Sequence, residues 1–301
     1  MKKDLLKISD LSRDGILSLV RRGRELKEMH RKGLSHTPLS GKTLSMIFQK
    51  SSTRTRVSFE VGMSQLGGHA LFLSPRDTQI GRGEEIRDTA RVLSGYVDGI
   101  MIRTYLQEEV EEFARSATVP VINGLTDLHH PCQVLGDLMT AAEEGKEITK
   151  MAVCFVGDGN NVANSWVEAS FILGFELRVV CPSGYEPDSS LMSSEPGSSS
   201  VEIVRDPLKG VEGADILYTD VWTSMGQEEE KEAREEAFRG YTIDSLLLSR
   251  AGSGARVMHC LPAHRGKEIT DDVLEGSQSS IFPQAENRLH IQKAILETLL
   301  K

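Results

Sequence analysis

Apolar residues along this chain follow two alternating periods. Over 12–31, "SRDGILSLVRRGRELKEMHR", they recur every three or four residues, which predicts one buried helical face. "KTLSMIF" (42–48) is a short unbroken apolar run and reads as a buried strand. "TRVSFEVGMSQLG" returns to helical spacing and stops at Gly67 and Gly68, a good C-terminal signal. "HALFLS" predicts the next strand, "EEIRDTARVLSGY" a helix, "GIMIRT" a strand, "EEVEEFARSA" a helix and "VPVING" a strand. A helix from about Val134 to Glu144 then meets the polar stretch "EEGKEITK", which marks a domain boundary.

The second half repeats the logic. "MAVCFVG", "ELRVVCP", "VEIVRD", "ADILYTDV" and "ARVMHCLP" read as strands, with "ANSWVEASFILG" as a helix after the first. "YEPDSSLMSSEPGSSS" predicts a helix and a loop. "GQEEEKEAREEAFRG" is mostly charge and reads as a solvated helix or loop. "AENRLHIQKAILETLLK" closes the chain as an amphipathic helix. Strand and helix alternate throughout. The fold class is therefore α/β: two doubly wound domains, each with a central, mainly parallel sheet, joined by interdomain helices.

A length of 301 residues suits two domains of roughly 150 residues. With 39% hydrophobic and 26% charged residues the chain builds a packed core and a polar surface. A formal net charge of -9 opposes non-specific binding to nucleic acid or an anionic membrane surface. No apolar run approaches the ~20 residues of a membrane span, and the N-terminal "MKKDLLKISDLS" lacks the apolar segment of a signal peptide. Cys132, Cys154, Cys181 and Cys260 are widely spaced without a CxxC pair, which favours free thiols in a reducing cytoplasm.

Against that acidic background, "FQKSSTRTRVSFE" (48–60) stands out, because an apolar strand runs directly into hydroxyls and arginines. Ser51 or Ser52 is a good N-cap for the helix that follows. A helix start offers free N–H groups and partial positive charge, and arginine adds a fork that matches phosphate oxygens. The local chemistry asks for a phosphate or a carboxylate. Other strands also end in polar residues. Arg103 and Thr104 follow "GIMI", His130 and Gln133 lie in "HHPCQ", "GDGNN" follows "MAVCFV", "DVWTSMG" follows "DILYT", and "CLPAHRG" follows "ARVMH". In doubly wound sheets that edge holds the ligand.

Several local alternatives compete. "GDGNN" lacks the third glycine of a dinucleotide turn, and Cys181 and Pro182 stand where an acidic residue would be expected. "HHPCQ" lacks a second ligand pair for zinc. Cys260 invites a nucleophile reading with His259 or His264 as base, but adjacent strand residues point to opposite faces. A structural thiol and a substrate-contacting thiol both stay open.

Taken together, "FQKSSTRTRVSFE", "DTARVLS", "HHPCQVLGDL", "GDGNNVANS", "DVWTSMGQ", "HCLPAHRG" and "ENRLHIQKA" resemble the aspartate/ornithine carbamoyltransferase family, its ornithine branch in particular. The resemblance covers nearly the whole chain. It implies a carbamoyl phosphate-binding domain over 1–145, with the 285–301 helix packed back on it, and an ornithine-binding domain over 146–284. The expected reaction transfers the carbamoyl group of carbamoyl phosphate to the δ-amine of L-ornithine, giving L-citrulline and phosphate. Putrescine or N-acetylornithine as acceptor is the alternative.

Carried over by residue, the resemblance implies that Ser52, Thr53, Arg54 and Thr55 hold the phosphate. Arg103 and His130 donate to the carbamoyl oxygen and phosphate, and Gln133 fixes the carbamoyl amide. Cys260, the backbone at Leu261, and Arg288 complete that site, with Gln79 reaching in from a neighbouring subunit. Asn161, Asp220, Ser224 and Met225 grip ornithine. Cys260, Arg103, His130 and Asp220 are the expected catalytic group, with no metal and no cofactor. A homotrimer or an assembly of trimers, a cytoplasmic location and a role in arginine biosynthesis are the further implications.

Overall fold

The computed structural model describes residues 4–74, 83–192, 201–223 and 228–301. Two compact units divide the chain: Met1–Met139 with Glu286–Lys301, and Thr140–Ala285. Among the described residues no helix is long and apolar enough to cross a membrane.

In the first unit α1 (Arg13–Arg31) precedes β1 (Thr43–Phe48), α2 (Thr53–Gln65), β2 (His69–Leu73), α3 (Ile86–Ser94), β3 (Gly99–Arg103), α4 (Gln107–Ser116), β4 (Val121–Leu125) and α5 (Pro131–Glu143). The sheet is fully parallel in the order β2-β1-β3-β4. The chain first winds outward from β1 to β2 and then returns to the other side of β1, so the topological switch lies between β1 and β3. Ile47, Ile100, Ile102, Val110, Phe113 and Val121 are buried together. Burial of each such side chain contributes about 1.5–3 kcal/mol. Gly67 closes α2 at φ 84°, where an added Cβ would lie 2.8 Å from the Thr37 Cβ. That position needs glycine.

The second unit contains β5 (Ala152–Val156), α6 (Asn161–Leu173), β6 (Glu176–Val180), β7 (Val201–Val204), α7 (Pro207–Gly210), β8 (Ile216–Thr219), α8 (Lys231–Ala237), α9 (Ser245–Arg250), β9 (Arg256–His259) and α10 (Asp271–Leu274). Its parallel sheet runs β7-β6-β5-β8-β9, with the switch between β5 and β8. The buried set includes Val156, Val180, Leu217, Ile243, Val257 and Leu274. Phe155 stacks on Tyr218 with ring centroids 5.4 Å apart. The chain closes with α11 (Ile281–Leu300).

Two local expectations change. No helix forms over 185–192, and 193–200 lies outside the described residues. The charged segment does form a helix, α8, but Arg234 within it is buried. Its charge meets Asp158, Glu230 and the Trp222 carbonyl rather than water. The short helices α7, α9 and α10 span four to six residues, too few for a periodic pattern to reveal.

Candidate active site

The first switch point brings together most of the residues expected around a phosphate. Ser52 is the N-cap of α2, and its hydroxyl accepts the Thr55 N–H over 3.2 Å. No acidic residue occupies the first turn, so the positive end of the helix keeps its field. Thr53 and Arg54 supply the first N–H groups of that helix. From α11, Arg288 donates to the Thr55 hydroxyl over 3.3 Å and, through its other terminal nitrogen, to the Gln133 Oε1. Gln133 in turn donates to Asp137 over 2.8 Å. Thr55, Arg103, His130, Gln133 and Arg288 are all buried. Arg103 ends β3, and its carbonyl accepts the Gln49 N–H over 2.8 Å, which ties the tips of β1 and β3 together.

His130 reports the charge in this half-site. Burial first, and then the charges of Arg288, Arg103 and Arg54, hold its imidazole well below the usual pKa. Three guanidiniums thus act on one neutral ring. Such a pocket favours an anion with several oxygens and offers it donors already oriented.

At the second switch point the chemistry reverses sign. Asn160 caps α6, accepting the Val162 and Ala163 N–H groups over 2.9 and 3.2 Å. Its Nδ2 donates over 2.8 Å to Asp220 Oδ2, spanning the crevice between β5 and β8. The Cys260 thiol donates to the other oxygen, Asp220 Oδ1, also over 2.8 Å. Asp220 is buried, and Asn161 sits one residue beyond the cap. A buried carboxylate with neutral donors on both oxygens suits a ligand carrying an amine.

Leu261 follows with φ 59°, a left-handed backbone, and a cis bond to Pro262. Its N–H donates to His259 Nδ1 over 2.8 Å, and His259 Nε2 lies 3.2 Å from Glu268 Oε1. Ligand atoms of Asp220, His259 and Cys260 lie within 4.8 Å of one another, a spacing open to a divalent metal. Both ring nitrogens of His259 are engaged elsewhere, so binding a cation there would break a hydrogen bond. Burial pushes the other thiols up, Cys132 and Cys154 to about 12 and Cys181 to about 11, which leaves them poor nucleophiles.

Residues 3–143 match the family model described as "Aspartate/ornithine carbamoyltransferase, carbamoyl-P binding domain", and 149–299 match its "Asp/Orn binding domain". The chain belongs to the aspartate/ornithine carbamoyltransferase family. It is 57% identical over 302 residues to the ornithine carbamoyltransferase of Syntrophus aciditrophicus (strain SB), covering 100% of both chains. Identity to that of Geobacter metallireducens is 53% over 303 residues, again covering 100% of both. Its fold superposes on the ornithine carbamoyltransferase from Pyrococcus furiosus with a TM-score of 0.95 at 50% identity, covering 99% of this chain and 97% of that one.

Three of the expected site residues, Gln79, Ser224 and Met225, lie outside the described residues. Three further residues lie at or beside these strand ends without having been singled out. Asn160 belongs to "GDGNN", and an asparagine before a helical run is itself an N-cap signal. Lys50 is buried, pairs with Asp127 and lies 4.4 Å from the centroid of the Tyr105 ring, linking the ends of β1, β3 and β4. Arg234 lies 3.1 Å from Asp158 and donates to the Trp222 carbonyl over the same distance. Nothing in the charge pattern distinguishes it from its neighbours.

Proposed function

We infer that this carbamoyltransferase moves the carbamoyl group of carbamoyl phosphate to the δ-amine of L-ornithine, releasing L-citrulline and phosphate. Full-length identity to ornithine carbamoyltransferases carries the reading. The arginine-rich half-site suits carbamoyl phosphate, and the buried Asp220 suits an acceptor with a cationic amino acid group. An aspartate acceptor would require basic residues in the second half-site.

In this reading the carbamoyl phosphate domain spans 1–145 with 285–301, and the ornithine domain spans 146–284. Ser52, Thr53, Arg54 and Thr55 hold the phosphate at the start of α2. Arg103, His130 and Arg288 donate to the oxygens where negative charge grows, and Gln133 orients the amide. The neutral δ-amine attacks the carbonyl carbon, a tetrahedral intermediate forms, and the C–O bond to phosphate breaks. The departing phosphate takes the amine proton. Removing one preorganised donor at such a centre costs about 3 kcal/mol. Cys260 and the Leu261 backbone complete the carbamoyl phosphate site, while Asn161, Asp220, Ser224 and Met225 hold ornithine and Asp220 with Cys260 orients its amine. Amine and carbonyl must come within about 3–3.5 Å, and that alignment supplies roughly 7–11 kcal/mol.

A cytoplasmic enzyme of arginine synthesis, assembled as a homotrimer with Gln79 contributed by the neighbouring subunit, completes the reading. Four free cysteines suit a reducing compartment.

The test is citrulline formation from carbamoyl phosphate with ornithine, aspartate, putrescine and N-acetylornithine offered separately. Turnover with ornithine alone supports both half-sites. Turnover only with another acceptor overturns the second.

A further inference from the structure

Gln107, the first residue of α4, is 5% exposed and turns its amide oxygen toward the loop that leads into His130. Its Oε1 accepts the Thr126 hydroxyl over 2.8 Å and, more weakly, Asn123 Nδ2 over 3.4 Å. Which amide atom faces inward follows from the main chain. The Leu6 carbonyl can only accept, and it takes Asn123 Nδ2 over 2.8 Å. The other hydrogen of that nitrogen needs an acceptor, so Gln107 presents oxygen. Its Nε2 meets no protein partner among the described residues. An amide so buried and only half paired is a costly choice for the start of a helix.

The Thr126 hydroxyl completes a directed chain. It accepts the His129 N–H over 3.0 Å, and its one proton needs an acceptor of its own. Gln107 Oε1 at 2.8 Å is the nearer candidate. The His129 carbonyl lies at 3.4 Å and already takes the Thr126 N–H over 2.9 Å. Gln107 thereby keeps a lone pair of the hydroxyl turned toward the His129 N–H. His130 is the next residue. On its far side Pro131 restricts it to extended backbone, and its carbonyl accepts the Gln133 N–H over 3.1 Å. The His129–His130 peptide is the joint through which the loop reaches the His130 ring. Other bonds anchor the loop and the helix. The Asp127 N–H donates to the Tyr105 carbonyl over 2.8 Å, and Glu109 ties α4 to Thr104 and Gln49.

We propose that Gln107 is a positioning residue that acts through the Thr126 hydroxyl to fix the 126–129 loop and so place the His130 ring. The role in turnover rests on the carbamoyltransferase reading above, whereas the placement does not. Gln107→Met keeps the length and removes the acceptor. Thr126→Val keeps the shape and removes the hydroxyl, and Thr126→Ser retains it.

The experiment measures kcat, KM for both substrates and Tm for these variants and for Gln107→Met/Thr126→Val. Nitrogen-15 NMR follows the His130 ring, assigned by its loss in His130→Gln. Thr126→Val and Gln107→Met should each lower kcat about tenfold, with KM for ornithine within about twofold. Thr126→Ser should recover most of that loss, and the double variant should fall no further than Thr126→Val. The His130 ring signals should move in Thr126→Val and Gln107→Met and stay in place in Thr126→Ser. A tie that only joins α4 to β4 would lower Tm and leave the kcat and His130 signals of folded enzyme unchanged, overturning the proposal. So would additive losses in kcat, or a Ser variant no better than Val. If Thr126→Val does not fold, Gln107→Met against Thr126→Ser decides on the same readouts. If wild type makes no citrulline, the functional reading falls and the His130 signals still decide whether Gln107 places the ring.

Discussion

Arg288 donates to the Thr55 hydroxyl over 3.3 Å, although the two residues stand 233 positions apart in sequence. The last helix thereby places a guanidinium at the N-terminus of α2, while its other nitrogen reaches Gln133. One planar group thus orients two candidate ligands of the same substrate.

Arg288→Lys keeps the charge and loses the fork, so Gln133 and Thr55 can no longer be held together. Affinity for carbamoyl phosphate should weaken roughly tenfold to a hundredfold, the scale of a lost charged hydrogen bond. Arg54→Ala should cost still more in turnover, while the half-buried position leaves Tm close to wild type. Steady-state kinetics with carbamoyl phosphate varied, together with calorimetric binding of the same ligand, check both. Near-normal kinetics in either variant would remove that residue from the phosphate site.

Asp220 accepts from Asn160 and Cys260 on separate oxygens. Asp220→Asn keeps the shape, removes the charge and turns one acceptor into a donor facing a donor. KM for ornithine should rise at least about tenfold, by the arithmetic of about 1.4 kcal/mol per decade. The KM for carbamoyl phosphate should change little. Equal effects on both substrates would contradict a role specific to the amino acid.

The two switch points were legible because parallel sheets with right-handed crossovers leave few places for polar strand ends to gather. Ser52 was readable as a cap because hydroxyls precede a clear helical run. In "GDGNN" the pattern does not say which asparagine caps the helix, and the structure gives that place to Asn160. Arg234 was illegible for a different reason. It lies among eight charged residues in "EEEKEAREE", and its burial depends on Asp158, Trp222 and Tyr185, all distant in sequence. Arg288 carried meaning only through the family resemblance, since no local pattern brings α11 to Thr55.

That buried pair has a measurable titration. Burial raises the Asp158 carboxyl to about 6, with Asp220 and Glu230 adding to the rise, while the charge and hydrogen bond of Arg234 oppose it. Between about pH 6 and 4 the folded protein holds a proton that the unfolded chain does not, so this group makes the fold less stable as pH rises through that window. Arg234→Met should push the midpoint above 6. Carbon-13 NMR of the Asp158 carboxyl should show both values, and a wild-type midpoint near 4 would refute the account.

His290 gives a slope of the opposite sign and can be tested away from the site. It is buried in α11 with its ring centroid 5.8 Å from that of His30. Burial, followed by the charges of Lys293, Lys27, His30 and Arg31, lowers its pKa to about 3, and Glu286 at 3.6 Å does not offset them. The folded form thus refuses a proton that the unfolded chain binds below about 6.5. Stability from this group is complete above pH 6.5 and is lost on acidification toward pH 3, at about 1.4 kcal/mol per pH unit. His130 acts in the same direction and Asp158 opposes both between about pH 6 and 4, so the wild-type acid limb sums all three. His290→Gln removes one titration and leaves the half-site residues in place. Urea unfolding at pH 7, 6, 5 and 4 should give a shallower acid slope for the variant by about that amount, with citrulline formation at pH 7 little changed. Parallel slopes would mean that His290 titrates alike in both states.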